Sequence, residues 1–495
     1  MKSIFGQPRG LATLFFTEMW ERFTYYGMRS ILILFLVGAA SDGGLGLDDR
    51  TASSIYGLYI AGTYVFSLFG GWIADRLVGA QRAVFTGGVF ILCGNALLAL
   101  GNVQVFFVGL LVIVLGVGLL KPNISAMVAE LYPEGGSRRD AGFSVFYMGI
   151  SVGAVLGSLL VPLCAARFGW RSGFALPVIG MLFGLAQFML TRRWLGSSGL
   201  AAAGRQGAGP ALRPGVLPGL RSWLPVILFV SAVTIVVLLS VGGRLVLDPV
   251  VLSSAASWVM ALFAAAYFTY LLAFAGLGRD ERKRVYVMIA LFAAYATFYA
   301  GFEQGGASLN LFAERYTDRD ILGWHMPAGV LQATTALVTI LFAPVFAALW
   351  LFLGRRGKDL SAPAKFAVGL ALLSAGFLVM FVASQYVVGG EKVLPTWLIV
   401  TYFLQECGDL CLSPVGLSSM TKLAPPRFVG QVMGVWFLSL AIGNNLAGQL
   451  SREYDAGDLH SLPALFAKIF WVGLIGAVIM LIFTPVLKRL TAGVK

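Results

Sequence analysis

In the stretch TEMWERFTYYGMRS, residues 17–30, Glu18, Arg22, Tyr25 and Arg29 recur at i, i+4, i+7 and i+11, between the apolar runs LATLFF and ILILFLVGAA. At 100° per residue these four share one face of a helix, with Glu21 and Tyr26 on its margins. A charge near the centre of a bilayer costs about 2.5–3.5 kcal/mol or more unless it lines a wet cavity or finds a partner. Two readings follow: a structural knot in which Arg22 neutralises Glu18 and Glu21, or one side of a site that handles charge. Lys121 ahead of Pro122, Glu303, Glu406 and Asp409, all in other apolar stretches, favour the site. Three cations (Arg22, Arg29, Lys121) then face five carboxylates (Glu18, Glu21, Glu303, Glu406, Asp409). Two acids lack a cation, and because burial penalises the charged form, one or two hold a proton at neutral pH. A proton-driven carrier needs this chemistry. His325 and His460 cannot supply it, since both fall in expected external loops.

The elements that must position these residues are membrane-spanning helices. Of the 495 residues 58% are hydrophobic and only 12% charged, and the mean hydropathy is +0.84. Apolar runs of about 20 residues, the length that crosses a bilayer, recur throughout. The chain divides into roughly fourteen such blocks, at 12–37, 55–77, 83–101, 104–130, 142–167, 172–194, 223–243, 250–276, 286–311, 327–353, 364–388, 394–421, 429–450 and 464–487. The expectation is an all-α polytopic membrane protein. The first block is span-length and lacks a small-residue cleavage site, so it is read as a retained helix and not as a signal peptide. Cys93, Cys164, Cys407 and Cys411 lie inside apolar blocks without metal-type spacing and read as packing residues; no metal site is expected. Alternate loops carry basic clusters such as Arg138-Arg139, Arg192-Arg193 and Arg282-Lys283-Arg284, whereas the opposite loops carry isolated cations such as Arg50 and Lys392. The positive-inside rule then places both termini in the cytoplasm and assigns the net charge of +13 to topology and not to nucleic-acid binding.

Between the sixth and seventh blocks lies GSSGLAAAGRQGAGPALRPGVLPGL, residues 196–220, which reads as a cytoplasmic linker. The next two blocks have almost no charge in their interiors and read as lipid-facing accessory helices. The expected organisation is a six-helix bundle over 1–195, linker and accessory helices over 196–284, and a second six-helix bundle over 285–495. After the second block, GGWIADRLVGAQR (70–82) resembles the signature of the major facilitator superfamily, and a weak echo, AALWLFLGRRGK (347–358), follows in the second half. That resemblance implies a cytoplasmic latch at Asp75, Arg76 and Arg82. Paired halves imply alternating access.

EMWERFTYY is similar to the E-x-x-E-R-F-x-Y-Y motif of the proton-coupled oligopeptide transporter family. GLLKPNIS (118–125), FYMGISVGA (146–154), FEQGGASLNLF (302–312), LCLSPVGLSSMTKLAP (410–425) and MGVWFLSLAIGNNLAG (433–448) resemble its further signatures, in order and over nearly the whole chain, and the two extra helices match bacterial members. The resemblance implies proton coupling by Glu18, Glu21 and Arg22, with Lys121 and Glu303, and a gate pair of Arg29 with Glu303. It implies that Lys121 receives the peptide carboxylate and that Tyr25, Tyr26, Arg29, Tyr64 and Trp436 line the pocket. Judged by themselves, Tyr64 and Trp436 read as packing or interfacial aromatics. Three positions depart from the family pattern: Ser151 stands for Asn, Thr335 for Asn, and Asp409 for Glu. In the family these positions gather around the peptide's α-amino group. Gly57 lies near a position where eukaryotic members carry His.

The implied substrates are di- and tripeptides, whose fixed charged ends suit a clamp of cations and carboxylates and whose varying side chains suit adaptable aromatic walls. Protons are the implied co-substrate, with no cofactor, lipid as the surroundings, a monomer as the working unit and the bacterial inner membrane as the location. The alternative is a facilitator-type carrier or exporter of another small charged solute or drug. An enzyme has little support, because no H-E-x-x-H and no intramembrane His occurs.

Overall fold

The structure is a computed structural model that describes residues 3–4, 7–133, 136–200, 220–241, 244–321, 323–356, 360–454 and 458–491. Most of the expected linker, 201–219, lies outside the described residues, as do Lys2, Lys358 and Lys495. The helices are α1 (Arg9–Val37), α2 (Asp49–Ile73, continued by a π turn over Ala74–Val78), α3 (Ala80–Ala99), α4 (Val103–Glu130), α5 (Gly136–Phe168), α6 (Trp170–Thr191), α7 (Leu220–Val241) and α8 (Pro249–Ala273). They continue with α9 (Arg279–Phe302), α10 (Ser308–Tyr316), α11 (Ala333–Arg355), α12 (Ala362–Val388), α13 (Thr396–Leu423), α14 (Val429–Ser451) and α15 (Ser461–Leu490). Two short hairpins, β1–β2 at Ser3–Ile4 and Gln7–Pro8 and β3–β4 at Asp320–Ile321 and Trp324–His325, complete the described structure.

The protein is an all-α, multi-pass membrane protein. Each of the fourteen blocks corresponds to a helix, and the ninth contains a break: α9 ends at Phe302, a 3₁₀ turn covers Glu303–Gly306, and α10 resumes at Ser308. Gly305 and Gly306 supply the weak helix propensity that permits this break. Among the described residues, eleven helical stretches are long and apolar enough to cross a membrane by composition. The full-length helices α1 and α13 fall outside that set, and they carry Glu18, Glu21, Arg22 and Arg29, and Glu406 and Asp409.

Contacts divide the chain into two compact units, Met1–Ile31 with Gly62–Asp248, and Leu32–Ala61 with Pro249–Lys495. In the first, α5 lies directly on α1. A Cβ added at Gly153 would sit 2.1 Å from the carbonyl oxygen of Met19, and one at Gly157 would sit 2.3 Å from that of Phe23. Small residues let membrane helices approach backbone to backbone, so the FYMGISVGA stretch seals the helix turn that holds Glu21 and Arg22. The first residues of the expected linker are docked and not loose: the Gln81 side chain donates to the Ser198 carbonyl (2.7 Å), and the Gly199 N–H donates to Glu130 Oε2 (2.7 Å). Cys407 and Cys411 are buried as expected of packing residues, whereas Cys93 is exposed.

In the second unit, α8 leaves large apolar side chains such as Trp258, Leu262 and Phe263 exposed, and one edge of it packs on α14. Its Ser253 and Ser257 are stitched to α14: the Asn445 amide donates to Ser253 O (2.6 Å) and Ser257 Oγ (2.8 Å), and the Gln449 amide donates to the same pair (2.9 and 2.8 Å). Polar side chains of this kind join helices where no water competes. At Gly57 a Cβ would lie 3.0 Å from Gly448 Cα, so no side chain fits there without moving α14.

Gly153→Ala is expected to destabilise the detergent-solubilised protein by about 1–3 kcal/mol, the usual cost of overpacking. Gly430→Ala, whose added methyl meets nothing within 4 Å, serves as the control in thermal unfolding. Equal midpoints for the two variants would contradict the α1–α5 contact.

Candidate functional site

The first cluster is built on α1. Arg22 Nε lies 3.1 Å from Glu18 Oε1 and donates to Glu21 Oε2 at 2.5 Å, with all three side chains buried. One nitrogen therefore serves two carboxylates. Glu18 Oε2, Glu21 Oε1 and Arg22 Nη2 are buried without a hydrogen-bond partner among the described residues. Aromatic faces complete the surroundings: the Arg22 guanidinium lies 5.0 Å from the Tyr25 ring centre, Arg29 5.8 Å from that of Tyr26, and Lys121 Nζ 4.0 Å from that of Tyr64. A cation over a ring face is attracted most where water is excluded. Ser151, on α5, donates its hydroxyl back to the Tyr147 carbonyl at 3.3 Å. Asp75 and Arg76 stand exposed on the π turn after α2, and Arg82 is exposed in the first turn of α3.

The second cluster joins α9, α13 and α14. Asp409 Oδ1 accepts hydrogen bonds from the Tyr299 hydroxyl (3.1 Å) and from the hydroxyl of Ser413 one turn on. The Tyr295 hydroxyl lies 2.9 Å from Ser413 Oγ, and the Tyr295 ring stacks on Trp436 with centroids 4.2 Å apart and planes 20° apart. Trp436 is fully buried in this stack. Glu406 accepts from the Thr339 hydroxyl, while Thr335 donates to the Gln332 carbonyl at 2.9 Å. Glu303 is buried at the break after α9. Its neighbour Gln304 fixes the break, donating to Ala300 O (3.1 Å) and Ala447 O (3.0 Å) and accepting from Ser308 (2.5 Å) and Ser451 (2.6 Å).

A third arrangement lies near the start of α2. The Thr51 side chain, and then its N–H at 2.9 Å, hold the Asp48 carboxyl below the usual carboxylate range and open the helix. Next to it, Asp49 takes both terminal nitrogens of Arg315 at 2.7 and 2.8 Å, a bidentate pair whose guanidinium also lies 5.3 Å from the Tyr454 ring centre.

Five of these residues, Tyr295, Tyr299, Ser413, Asp49 and Arg315, are absent from the sequence-based candidates. Spacing held the clue for three of them. Tyr295 and Tyr299 precede Glu303 at multiples of four on α9, and Ser413 follows Asp409 by four on α13. The ionic count left two of the five acids without a cation because it considered only cations; hydroxyl donors meet Glu406 and Asp409.

The family model described as POT family matches residues 81–201 and 277–472. The chain belongs to the POT family. Among its relatives, the peptide transporter YePEPT of Yersinia enterocolitica subsp. palearctica is 39% identical over 500 residues, covering 99% of this chain and 96% of that protein. The di-/tripeptide transporter of Lactococcus lactis subsp. lactis is 34% identical, covering 98% and 97%. A crystal structure of a peptide transporter POT in complex with sulfate superposes with a TM-score of 0.90 at 40% identity, covering 99% of this chain and 97% of the other. A further POT structure, a mutant in complex with alafosfalin, gives the same TM-score. The POT neighbours have the major facilitator fold, and so does this chain.

A double-mutant cycle of Asp49→Asn and Arg315→Gln, read by thermal stability, is expected to give a coupling of about 0.5–3 kcal/mol, as for residues in one ion-pair network. Additive losses would show that the two charges stabilise the protein independently.

Proposed function

We propose that this protein takes up di- and tripeptides together with protons across the bacterial cytoplasmic membrane by alternating access. The observation that carries the proton coupling is the shared cation on α1: two buried carboxylates share a single Arg22 nitrogen, and among the described residues each keeps one buried oxygen without a hydrogen bond. Arg22 alone offsets one of the two acids, Lys121 is the further cation that acts on Glu18, and taking up a proton discharges one acid of this shared network. Glu21 and Glu18 are the coupling acids, Arg22 their fixed counter-ion. Protonation of one acid releases part of Arg22's hold and lets the loaded carrier reorient.

In this reading Lys121 assists coupling and receives the peptide carboxylate, and Asp409 receives the ammonium, with Ser151 and Thr335 as the other residues assigned to it. Tyr25, Tyr26, Tyr64 and Trp436 form walls that accept varying side chains. Arg29 and Glu303 pair to close the external gate, while Asp75, Arg76 and Arg82 latch the cytoplasmic side. Both termini are cytoplasmic, the working unit is a monomer, and the protein moves its substrate without changing it chemically. The named activities of the Yersinia and Lactococcus relatives support the peptide class.

In proteoliposomes with an imposed inward proton gradient, labelled dialanine is expected to accumulate, to stop accumulating when a protonophore is added, and to be displaced far better by free than by N-acetylated dialanine. Strict sodium dependence would overturn the proton reading. Equal inhibition by the two dialanines would overturn amine recognition and point to a carrier of other small charged solutes.

A further inference from the structure

In the peptide reading, the three departures from the family pattern are the residues assigned to the α-amino group. Two of them have lost donor freedom as well as length. The only proton of the Ser151 hydroxyl goes to Tyr147 O and that of Thr335 to Gln332 O, so each hydroxyl can act toward a ligand only as an acceptor. The third, Asp409, is one methylene shorter than the family's Glu. A short carboxylate has fewer orientations that reach a ligand, and its usefulness depends on what holds it.

Counting protons shows what holds it. Ser413 has one hydroxyl proton and Tyr299 has one, and both are directed at Asp409 Oδ1; the Tyr299 hydroxyl lies 3.1 Å from that oxygen against 3.5 Å from Ser413 Oγ. With the Ser413 proton committed, the 2.9 Å contact between Tyr295 and Ser413 has Tyr295 as its donor. The order is therefore Tyr295 O–H to Ser413 Oγ, Ser413 O–H to Asp409 Oδ1, and Tyr299 O–H to the same Oδ1. Oδ1 is filled by two donors, and Oδ2 accepts no hydrogen bond from the described residues. This set of donors matches an ionised Asp409 with one oxygen reserved for an outside donor, and an ammonium is a donor only.

We infer that Tyr299 is a positioning residue of the amine subsite: its hydroxyl, together with that of Ser413, locks Asp409 Oδ1 so that Oδ2 is presented to the peptide ammonium. The device offsets the shorter side chain at 409, and it also makes the grip directional. Tyr299 touches the carboxylate and not the peptide. The stacked pair Tyr295–Trp436 sits at the far end of the same hydrogen-bonded chain, so the wall of the side-chain pocket is tied to the amine anchor.

This inference rests on the peptide reading proposed above, and the test separates the two. Concentration dependence of dialanine counterflow is measured in vesicles for wild type, Tyr299→Phe, Ser413→Ala, Asp409→Glu and Tyr299→Phe in the Asp409→Glu background. Loss of a hydrogen bond to a charged group predicts that Tyr299→Phe raises the half-saturating dialanine concentration about tenfold, with the maximal rate little changed. Ser413→Ala moves in the same direction. In the Asp409→Glu background the longer side chain no longer depends on the Tyr299 hydroxyl, and the effect of Tyr299→Phe falls below about twofold. Half-saturation unchanged in both single variants, or an equal loss in the Asp409→Glu background, overturns the inference while leaving peptide transport intact. Wild-type vesicles that exchange no dialanine overturn the peptide reading, and the inference falls with it.

Discussion

The structure is organised around the difficulty of keeping charge inside a membrane. Glu18, Glu21 and Arg22 sit on one buried turn of α1, and the two carboxylates must share one guanidinium nitrogen. A buried ion pair repays its desolvation only when its remaining donors and acceptors are also satisfied. Here they are not: a buried oxygen remains on each acid and a buried nitrogen on the arginine. A cluster in this condition stays in place only if the surrounding helices are packed too closely to let water or side chains rearrange. Gly153 and Gly157 supply that packing by bringing the α5 backbone onto the α1 carbonyls of Met19 and Phe23, on either side of Glu21 and Arg22.

The same constraint is met differently around Asp409. There the charge is not offset by a cation on the same helix; hydroxyl groups on α9 and α13 carry it, and the aromatic stack of Tyr295 on Trp436 closes the wall. Hydroxyls stabilise an anion without cancelling its charge, so the carboxylate remains available to a cationic ligand. Two carboxylates that share a guanidinium can trade that partner for a proton, and a carboxylate held by hydroxyls can accept from a cationic donor.

Much of this was legible in the sequence, for reasons that also mark where reading stopped. The i, i+4 spacing of Glu18 and Arg22 predicts their contact, and the apolar block lengths give the helices of the major facilitator fold. The charge of Asp409 drew attention because ionisable residues are rare in apolar runs. Its partners escaped notice because Tyr299 and Ser413 are neutral and common there, although their spacing from Glu303 and Asp409 held the pattern. The stitching of α8 to α14 was hidden in the same way: serines in an apolar helix look inert until Asn445 and Gln449 are seen to face them. The break at Glu303–Gly306 lay inside a block whose overall hydrophobicity masked its two glycines, and the docking of Ser198 and Gly199 depends on Gln81 and Glu130, distant in sequence.

The central claim is that peptide and proton cross together because the buried acids on α1, which share Arg22, take up and release the proton. By linkage, a ligand that is carried with a proton must be able to drive that proton. Vesicles with equal pH on both sides and a pH-sensitive dye inside are given an inward gradient of dialanine. The account predicts that the lumen of wild-type vesicles acidifies as peptide enters, and that Glu21→Gln removes the acidification while exchange persists. Peptide entry at the wild-type rate without any change of internal pH would contradict it.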